Sequence, residues 1–114
     1  MPKVAQNELA KRIGKAVAQR RTAAQMTQER VAEKLGIGNE DYSRIERGVA
    51  SLSVVRLFEL SELFGCETAD LLREGSMRID DQACLISQSL TPLKETDREL
   101  VLQVVQQLSE RLSR

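Results

Sequence analysis

The sequence predicts an all-α fold, on three observations. Helix-forming residues dominate the 114-residue chain, aromatic residues make up only 3% of it, and β-branched residues are not concentrated in runs. Apolar residues recur at three- and four-residue spacing, which is the period of amphipathic helices. The length suits one ordinary domain with a small appendage, and the content of 41% hydrophobic and 30% charged residues is typical of a soluble globular protein.

Capping residues and glycines mark the boundaries of three predicted helices. The first is predicted over residues 6–24, where apolar residues repeat along one face. The second follows Thr27, a residue type that caps helices, and stops at Gly36. The third runs from about Asn39 to Arg47 and stops at Gly48.

Two further helices complete the predicted core. Ser53 can cap a fourth helix that ends at Gly65, and Glu67 or Thr68 begins a fifth. The predicted apolar face of the fourth helix consists of Val54, Leu57, Leu60, Leu63 and Phe64. Because five short helices cannot bury their faces in pairs, residues 8–73 are predicted to close on one core as a self-sufficient domain.

After Gly75 the pattern becomes polar, and Pro92 is predicted to lie in the first turn of a helix that runs to the C-terminus. One side of this helix carries Leu100, Val101, Val104, Val105, Leu108 and Leu112. These are too many apolar residues for a lone exposed helix. Residues 77–114 are therefore predicted to form a helical extension that dimerises the protein, and the alternative is that the helix folds back on its own domain.

Charge is distributed unevenly along a chain whose formal net charge is zero. Residues 1–35 carry eight basic and three acidic side chains, whereas residues 36–72 carry three basic and seven acidic ones. A positive N-terminal third can form a patch for phosphates. The alternative is that these charges lie on the solvated faces of helices.

Several kinds of site are excluded by residue types that the chain lacks. It has no histidine, and Cys66 and Cys84 lack a CxxC spacing, so no metal site is expected and both thiols are expected to be buried and reduced. The sequence has no glycine-rich phosphate loop and no nucleophile–base spacing, so no enzyme is predicted. No cofactor or small-molecule ligand is predicted either. Without an apolar run that spans a membrane or a signal peptide, a cytoplasmic protein is expected.

Four segments carry a resemblance to a known family: IGKAVAQRR, MTQERVAEKLGI, YSRIERG and LFELSELFGCETADLL. Together they resemble the Cro/C1-type (XRE-like) helix-turn-helix family of bacterial and phage regulators, over about residues 12–73. The resemblance implies a five-helix lambda-repressor-like DNA-binding domain in a nucleoid-associated transcriptional regulator. It also implies that the second and third helices bind double-stranded DNA, with the third in the major groove.

The resemblance assigns roles to individual positions. The residues that match base-reading positions are Asn39, Glu40, Ser43 and Arg44. Those that match phosphate-contacting positions are Thr27, Gln28, Arg47 and Gly48. Arg21 and Glu46 match a pair that forms an inward salt bridge between the first and third helices.

The chain departs from the family pattern after Gly48. Many relatives carry a basic pair and then Asn-Pro, whereas this chain has Val49, Ala50, Ser51 and Leu52. Two phosphate contacts are therefore expected to be missing. Position 38 often holds Ser or Thr as a cap in relatives, and here it is glycine.

The third helix begins with two carboxylates, although DNA is a polyanion. Asp41 is predicted to accept a hydrogen bond from the Gly38 N–H as one half of a capping box. Glu40 either accepts from the N4 amine of cytosine or only stabilises the helix dipole. Arg44 is the strongest candidate for a guanine contact, and the alternative is an ion pair with Glu40 one turn away.

Two functions follow from these patterns. The first is a sequence-specific transcriptional regulator, a repressor that binds a palindromic operator as a homodimer. The alternative is a helix-turn-helix scaffold used as a protein-interaction module, similar to an antitoxin or anti-repressor. In that case Glu40 and Asp41 would present an acidic face to a basic protein.

Overall fold

The computed structural model describes residues 2–114, and within them it contains seven α-helices and no strand. The helices are α1 (Lys3–Ala23), α2 (Gln28–Leu35), α3 (Asn39–Arg47), α4 (Val54–Phe64), α5 (Thr68–Gly75), α6 (Ile79–Leu90) and α7 (Glu95–Leu112). The predicted all-α fold class is confirmed. None of these helices is both long enough and apolar enough to cross a lipid bilayer.

Contacts divide the chain into two compact units, one up to Gln82 and the other over Ala83–Arg114. In the first unit α1 packs against α5, α3 and α4, while α2 packs against α3 and α4 against α5. The core of this unit consists of Val17, Val31, Ala32, Tyr42, Ile45, Leu57, Leu60 and Leu71. The assignment of residues 8–73 to DNA binding and of residues 77–114 to dimerisation stays a prediction.

The predicted caps form as the residue types indicate. Thr27 Oγ1 accepts a hydrogen bond from the Arg30 N–H at 3.1 Å, and Ser53 Oγ accepts one from the Arg56 N–H at 3.0 Å. Three helices end at a glycine in the left-handed region, namely Gly36, Gly48 and Gly65. Because only glycine adopts this conformation without steric cost, these three boundaries follow directly from the sequence.

Gly14 allows α1 to approach the C-terminal end of α3, a contact that the sequence analysis missed. A Cβ atom at Gly14 would lie 2.5 Å from the Glu46 carbonyl oxygen and 2.6 Å from that of Ile45. A Cβ atom at Gly48 would likewise lie 2.4 Å from the Lys11 Cα atom. The two helices therefore touch backbone to backbone, and this contact sets the orientation of α3 within the first unit.

The apolar face predicted for α4 is wrong at its first residue. Leu57 and Leu60 are buried, but Val54 is 67% exposed, as are large parts of Val55 and Phe58. The helix turns Leu57 and Leu60 toward α5 and the core, which leaves the apolar residues of its first turn in solvent. Three- and four-residue spacing alone did not distinguish these two sides.

The helices near the ends of the chain also differ from prediction. The first helix begins at Lys3, three residues early. Residues 79–90 form α6, a helix that was not predicted because the segment after Gly75 begins with polar residues. Its start is ordered by Ser76, whose Oγ accepts from the Arg78 N–H at 3.0 Å and donates to Asp81 Oδ2 at 2.6 Å.

Pro92 does not lie in the first turn of the last helix. Thr91 and Leu93 donate their N–H groups to the carbonyl groups of Ser87 and Leu90. Residues 91–93 therefore finish the end of α6 as a turn, and α7 begins only at Glu95.

Neither cysteine is fully buried, contrary to prediction. Cys66 and Cys84 are both free thiols of intermediate exposure. Partial burial raises the pKa of the Cys66 thiol, and the nearby Arg20 guanidinium opposes this effect.

Candidate nucleic-acid interface

The segment from α2 to α3 has the geometry of a helix-turn-helix. Gly36 ends α2 in the left-handed conformation, and the Ile37 N–H then donates to the Ala32 carbonyl at 3.0 Å. Ile37 packs against the core from the turn, and Gly38 begins α3 in an extended conformation. A backbone hydrogen bond and the packed Ile37 side chain both hold the turn, so α2 and α3 have a defined relative orientation.

The third helix presents two chemically different sides. Tyr42 and Ile45 are buried in the core. The opposite side, here called the outer face of α3, consists of Asn39, Glu40, Ser43, Arg44 and Arg47, of which only Ser43 is partly covered. All four residues assigned to base reading by the resemblance therefore lie on one accessible surface.

Arg44 is the free cation of this face. Among residues 2–114 its side chain makes no hydrogen bond or ion pair, and the predicted alternative of an ion pair with Glu40 is wrong. Glu40 instead accepts a hydrogen bond from Arg47, with 2.7 Å between Oε1 and Nη2. The guanidinium of Arg44 therefore keeps all of its donors available for an external acceptor.

The capping box predicted for α3 is also absent. No hydrogen bond joins Asp41 to the Gly38 N–H within the described chain. Gly38 has no side chain to form the reciprocal half of such a box. The reciprocal arrangement occurs in α5 instead, where the Glu67 N–H donates to Asp70 Oδ2 at 3.1 Å.

A polar cluster beneath the outer face joins the first three helices. We call it the Glu46 cluster, and its members are Arg21, Gln28, Tyr42 and Glu46. Glu46 Oε2 accepts from Arg21 Nε at 2.7 Å and from the Tyr42 hydroxyl at 2.5 Å, while Oε1 accepts from Gln28 Nε2 at 2.8 Å. Arg21 also donates to the Met26 carbonyl at 2.9 Å. The pair that the resemblance assigned, Arg21 and Glu46, thus lies inside a larger network.

Hydrogen bonds within this cluster favour the ionised form of Glu46. Burial favours the neutral form of Glu46, but hydrogen bonds from Arg21, Tyr42 and Gln28 outweigh it and lower the pKa of the carboxyl group. The hydrogen bond to Glu46 raises the pKa of Arg21. Burial, and then the bond to Glu46, raises the pKa of the Tyr42 hydroxyl. A carboxylate that accepts hydrogen bonds from three side chains therefore positions α3 against α1 and α2.

Gln28, which the resemblance assigns to a phosphate contact, also has a structural role in the Glu46 cluster. Its amide nitrogen is bonded to Glu46, which leaves one amide hydrogen and the carbonyl oxygen for other partners. Thr27 uses its hydroxyl as the cap of α2. The backbone N–H groups of the first turn remain the ones suited to an anion.

Two basic residues of the N-terminal third bond to groups within the first unit. Arg20 forms an ion pair with Glu74 at 2.8 Å. Arg12 donates from Nε to the Gly75 carbonyl at 3.0 Å and from Nη2 to the Ser76 carbonyl at 3.1 Å. Both side chains attach α5 to α1, so the positive charge of this segment is partly used in packing.

Comparison with known proteins agrees with this geometry. The helix-turn-helix family matches residues 17–71, which include α2 and α3. The HTH-type transcriptional regulator ImmR of Bacillus subtilis (strain 168) is 31% identical over 94 residues, an alignment that covers 79% of this chain and 74% of that protein. The chain therefore belongs to the Cro/C1-type helix-turn-helix family of DNA-binding transcriptional regulators.

Proposed function

We propose that this protein is a repressor that binds a palindromic operator as a homodimer. The observation that carries the proposal is the outer face of α3, where exposed polar side chains lie opposite a fully buried Tyr42. A helix held this way can enter the major groove without losing its packing. The relative ImmR is described as a transcriptional regulator, which agrees with such a role.

Base contacts are assigned to four residues of the outer face. Arg44 has free donors and suits the O6 and N7 acceptors of guanine. Glu40 suits the N4 amine of cytosine, and Asn39 and Ser43 supply further hydrogen-bonding groups. An operator half-site would therefore contain a G·C pair opposite Arg44.

Phosphate contacts are assigned around the two ends of the helix pair. Thr27 and Gln28 lie at the N-terminus of α2, where helix N–H groups favour anions. Arg47 and Gly48 lie at the end of α3. These contacts set the register of the protein on the duplex and contribute affinity that does not depend on sequence.

Dimerisation is assigned to α7. Its apolar residues Leu100, Val101, Val104, Val105, Leu108 and Leu112 are all substantially exposed, from 36% to 81%. Val101, Val105, Leu108 and Leu112 alternate at four- and three-residue spacing, which is the seam of a two-helix contact. A second copy would cover this seam and double the number of DNA contacts.

Repression requires no surface beyond those that would bind DNA and form the dimer. A dimer that occupies an operator overlapping a promoter excludes polymerase by its presence alone. The DNA-binding and dimer-forming surfaces described above are sufficient for that mechanism.

Binding to random and selected duplexes, measured while salt is varied, tests the proposal. A selected site is expected to contain G or C opposite Arg44 and Glu40, and affinity is expected to fall steeply with salt. Arg44→Ala should relax the base preference, whereas Gln28→Ala should weaken all sequences alike. Arg98→Ala removes the same charge from α7 and should change neither. If no duplex binds more tightly than about micromolar at low salt, the level of non-specific binding, the proposal is wrong.

An alternative function is a protein-interaction module. The exposed Val54, Val55 and Phe58 of α4 favour it, because grouped apolar side chains in solvent are typical of surfaces that bind protein. The acidic start of α3 would suit a basic partner. The same salt titration separates the two functions, because this one predicts no selected duplex.

A further inference from the structure

The ion pair between Glu40 and Arg47 extends along the outer face of α3. Glu40 is the second residue of the helix and Arg47 the last, so they are seven residues apart and lie on the same side. Their Cα atoms are about 10 Å apart along the axis, and the two side chains extend toward each other to a separation of 2.7 Å. Ser43 and Arg44, one turn from each, share this side.

Both members of the pair belong to the surface that would meet DNA. Arg47 is the phosphate-contacting candidate at the end of α3, and Glu40 is a base-reading candidate at its start. Their side chains are 56% and 79% exposed, so packing does not hold them together and either can exchange its partner. In the free protein the Glu40 carboxylate binds the Arg47 guanidinium, which would otherwise be available to a phosphate.

The loop that follows α3 supplies no second cation beside Arg47, although the backbone of Lys11 lies against Gly48. From Ile45 to Val55 the sequence has no other basic residue, because Val49 and Ala50 stand where many relatives carry a basic pair. The other carboxylate nearby, Glu46, is directed inward and held by Arg21, so Glu40 is the acidic partner of Arg47. Control of this one arginine therefore controls the phosphate contact at the end of α3.

We propose that Glu40 is a positioning residue that holds Arg47 away from the phosphate backbone and so weakens binding to non-cognate DNA. The inference rests on the proposed function of α3. At an operator with a cytosine opposite Glu40, the carboxylate transfers to the N4 amine and Arg47 is released to a phosphate. At other sequences no cytosine amine lies opposite Glu40, and its carboxylate stays paired with Arg47. The exchange increases the ratio of operator to non-cognate affinity rather than total affinity.

The test uses the full chain, an unrelated duplex and the operator selected by the wild-type protein. Affinity is measured by fluorescence anisotropy at several salt concentrations. Glu40→Gln is expected to tighten binding to the unrelated duplex by about two- to fivefold, the range typical of exposed ion pairs. It is also expected to steepen the slope of log affinity against log salt by about 0.9, as one added phosphate contact would. Operator affinity should change less, so the specificity ratio falls.

Asp41→Asn is the matched control, because it removes one negative charge from the adjacent residue without touching Arg47. It should leave the salt slope unchanged. In an Arg47→Gln background, Glu40→Gln should lose its effect on the unrelated duplex. Equal effects of Glu40→Gln and Asp41→Asn, or an effect that persists without Arg47, would overturn the inference and indicate general charge repulsion.

Failure of the inference differs from failure of the proposed function. If the wild-type protein selects an operator and Arg44→Ala relaxes the preference, but Glu40→Gln behaves as Asp41→Asn does, only the role of Glu40 is wrong. If the wild-type protein selects no duplex at all, both are wrong.

Discussion

The third helix is short and has buried side chains, whereas the seventh helix is long and has none. The nine residues of α3 include the fully buried Tyr42 and a nearly buried Ile45, and Glu46 joins the helix to α1 and α2. The 18 residues of α7 include no buried side chain, although seven are large and apolar. Because isolated helices are marginal in water, α3 depends on tertiary packing that its own unit supplies. The exposed apolar side of α7 is the reason for the proposal that a second copy covers it.

The largest expected effect concerns the Glu46 cluster. Glu46→Ala should lower the free energy of unfolding of the first unit by about 3 kcal/mol, because it leaves the Arg21 guanidinium without its carboxylate. Urea unfolding followed by circular dichroism measures this change. Glu33→Ala removes an exposed carboxylate that pairs with Arg30 at 3.6 Å, and it should cost less than about 1 kcal/mol. Similar losses in the two variants would contradict the importance of the cluster.

The next effect concerns α7. Val105→Asp places a charge in the proposed seam and should raise the dimer dissociation constant by about a hundredfold, equivalent to about 2.7 kcal/mol. Light scattering at micromolar concentration measures the change in mass. Gln107→Asp adds the same charge outside the apolar side and should leave the mass unaltered. A wild-type protein that is monomeric in this experiment would remove the dimer from the proposal.

A substitution at Gly14 tests whether the α1–α3 contact supports the outer face. Gly14→Ala should destabilise the first unit by about 2 kcal/mol, because its methyl group meets backbone carbonyl oxygens that cannot move independently. Thermal unfolding measures the loss. Gly38→Ala is a suitable control, since the added Cβ would have only the Asp41 carboxylate at 3.6 Å as a neighbour. Equal melting temperatures for Gly14→Ala and the wild-type protein would show that α1 adjusts freely.

The smallest effect is a pH dependence. The pKa of Glu46 is lower in the folded protein than its ordinary value of 4.5, so the carboxylate stabilises the fold above that pH. This contribution is lost as pH falls through the lower, folded pKa. Glu46→Gln should therefore show a shallower loss of stability below about pH 4.5 than the wild-type protein. Parallel stability curves for the two proteins in urea unfolding would contradict the assignment.

Local chemistry accounts for the parts of the fold that were predicted correctly. Thr27 and Ser53 cap helices, and Gly36, Gly48 and Gly65 end them, because each acts on backbone groups within a few residues. The all-α class and the helix pair follow from the same short-range signals. The errors at Val54 and Pro92 arose where packing against α5 or the end of α6 overrode a local preference.

Side-chain partners could not be predicted from spacing alone. Spacing offered an ion pair between Glu40 and Arg44, one turn away, as the alternative to a guanine contact, but Glu40 pairs with Arg47 two turns away. Arg12 and Arg20, two basic residues of the positive N-terminal third, attach α1 to α5. Long side chains reach several alternatives at similar energy, and the choice depends on which groups are already committed elsewhere.

The amino-acid sequence contains the side-chain caps and glycine stops of the central helices, the family and the inward and outward sides of α3, because these depend on residue types a few positions apart. The close approach at Gly14 and the four-member Glu46 cluster depend on residues up to 32 positions apart that meet only when α1 and α2 pack on α3, whereas the partner of Glu40 is set by competition along α3 itself. Their energies come from burial and from competition among neighbours. Both exist only in the folded protein.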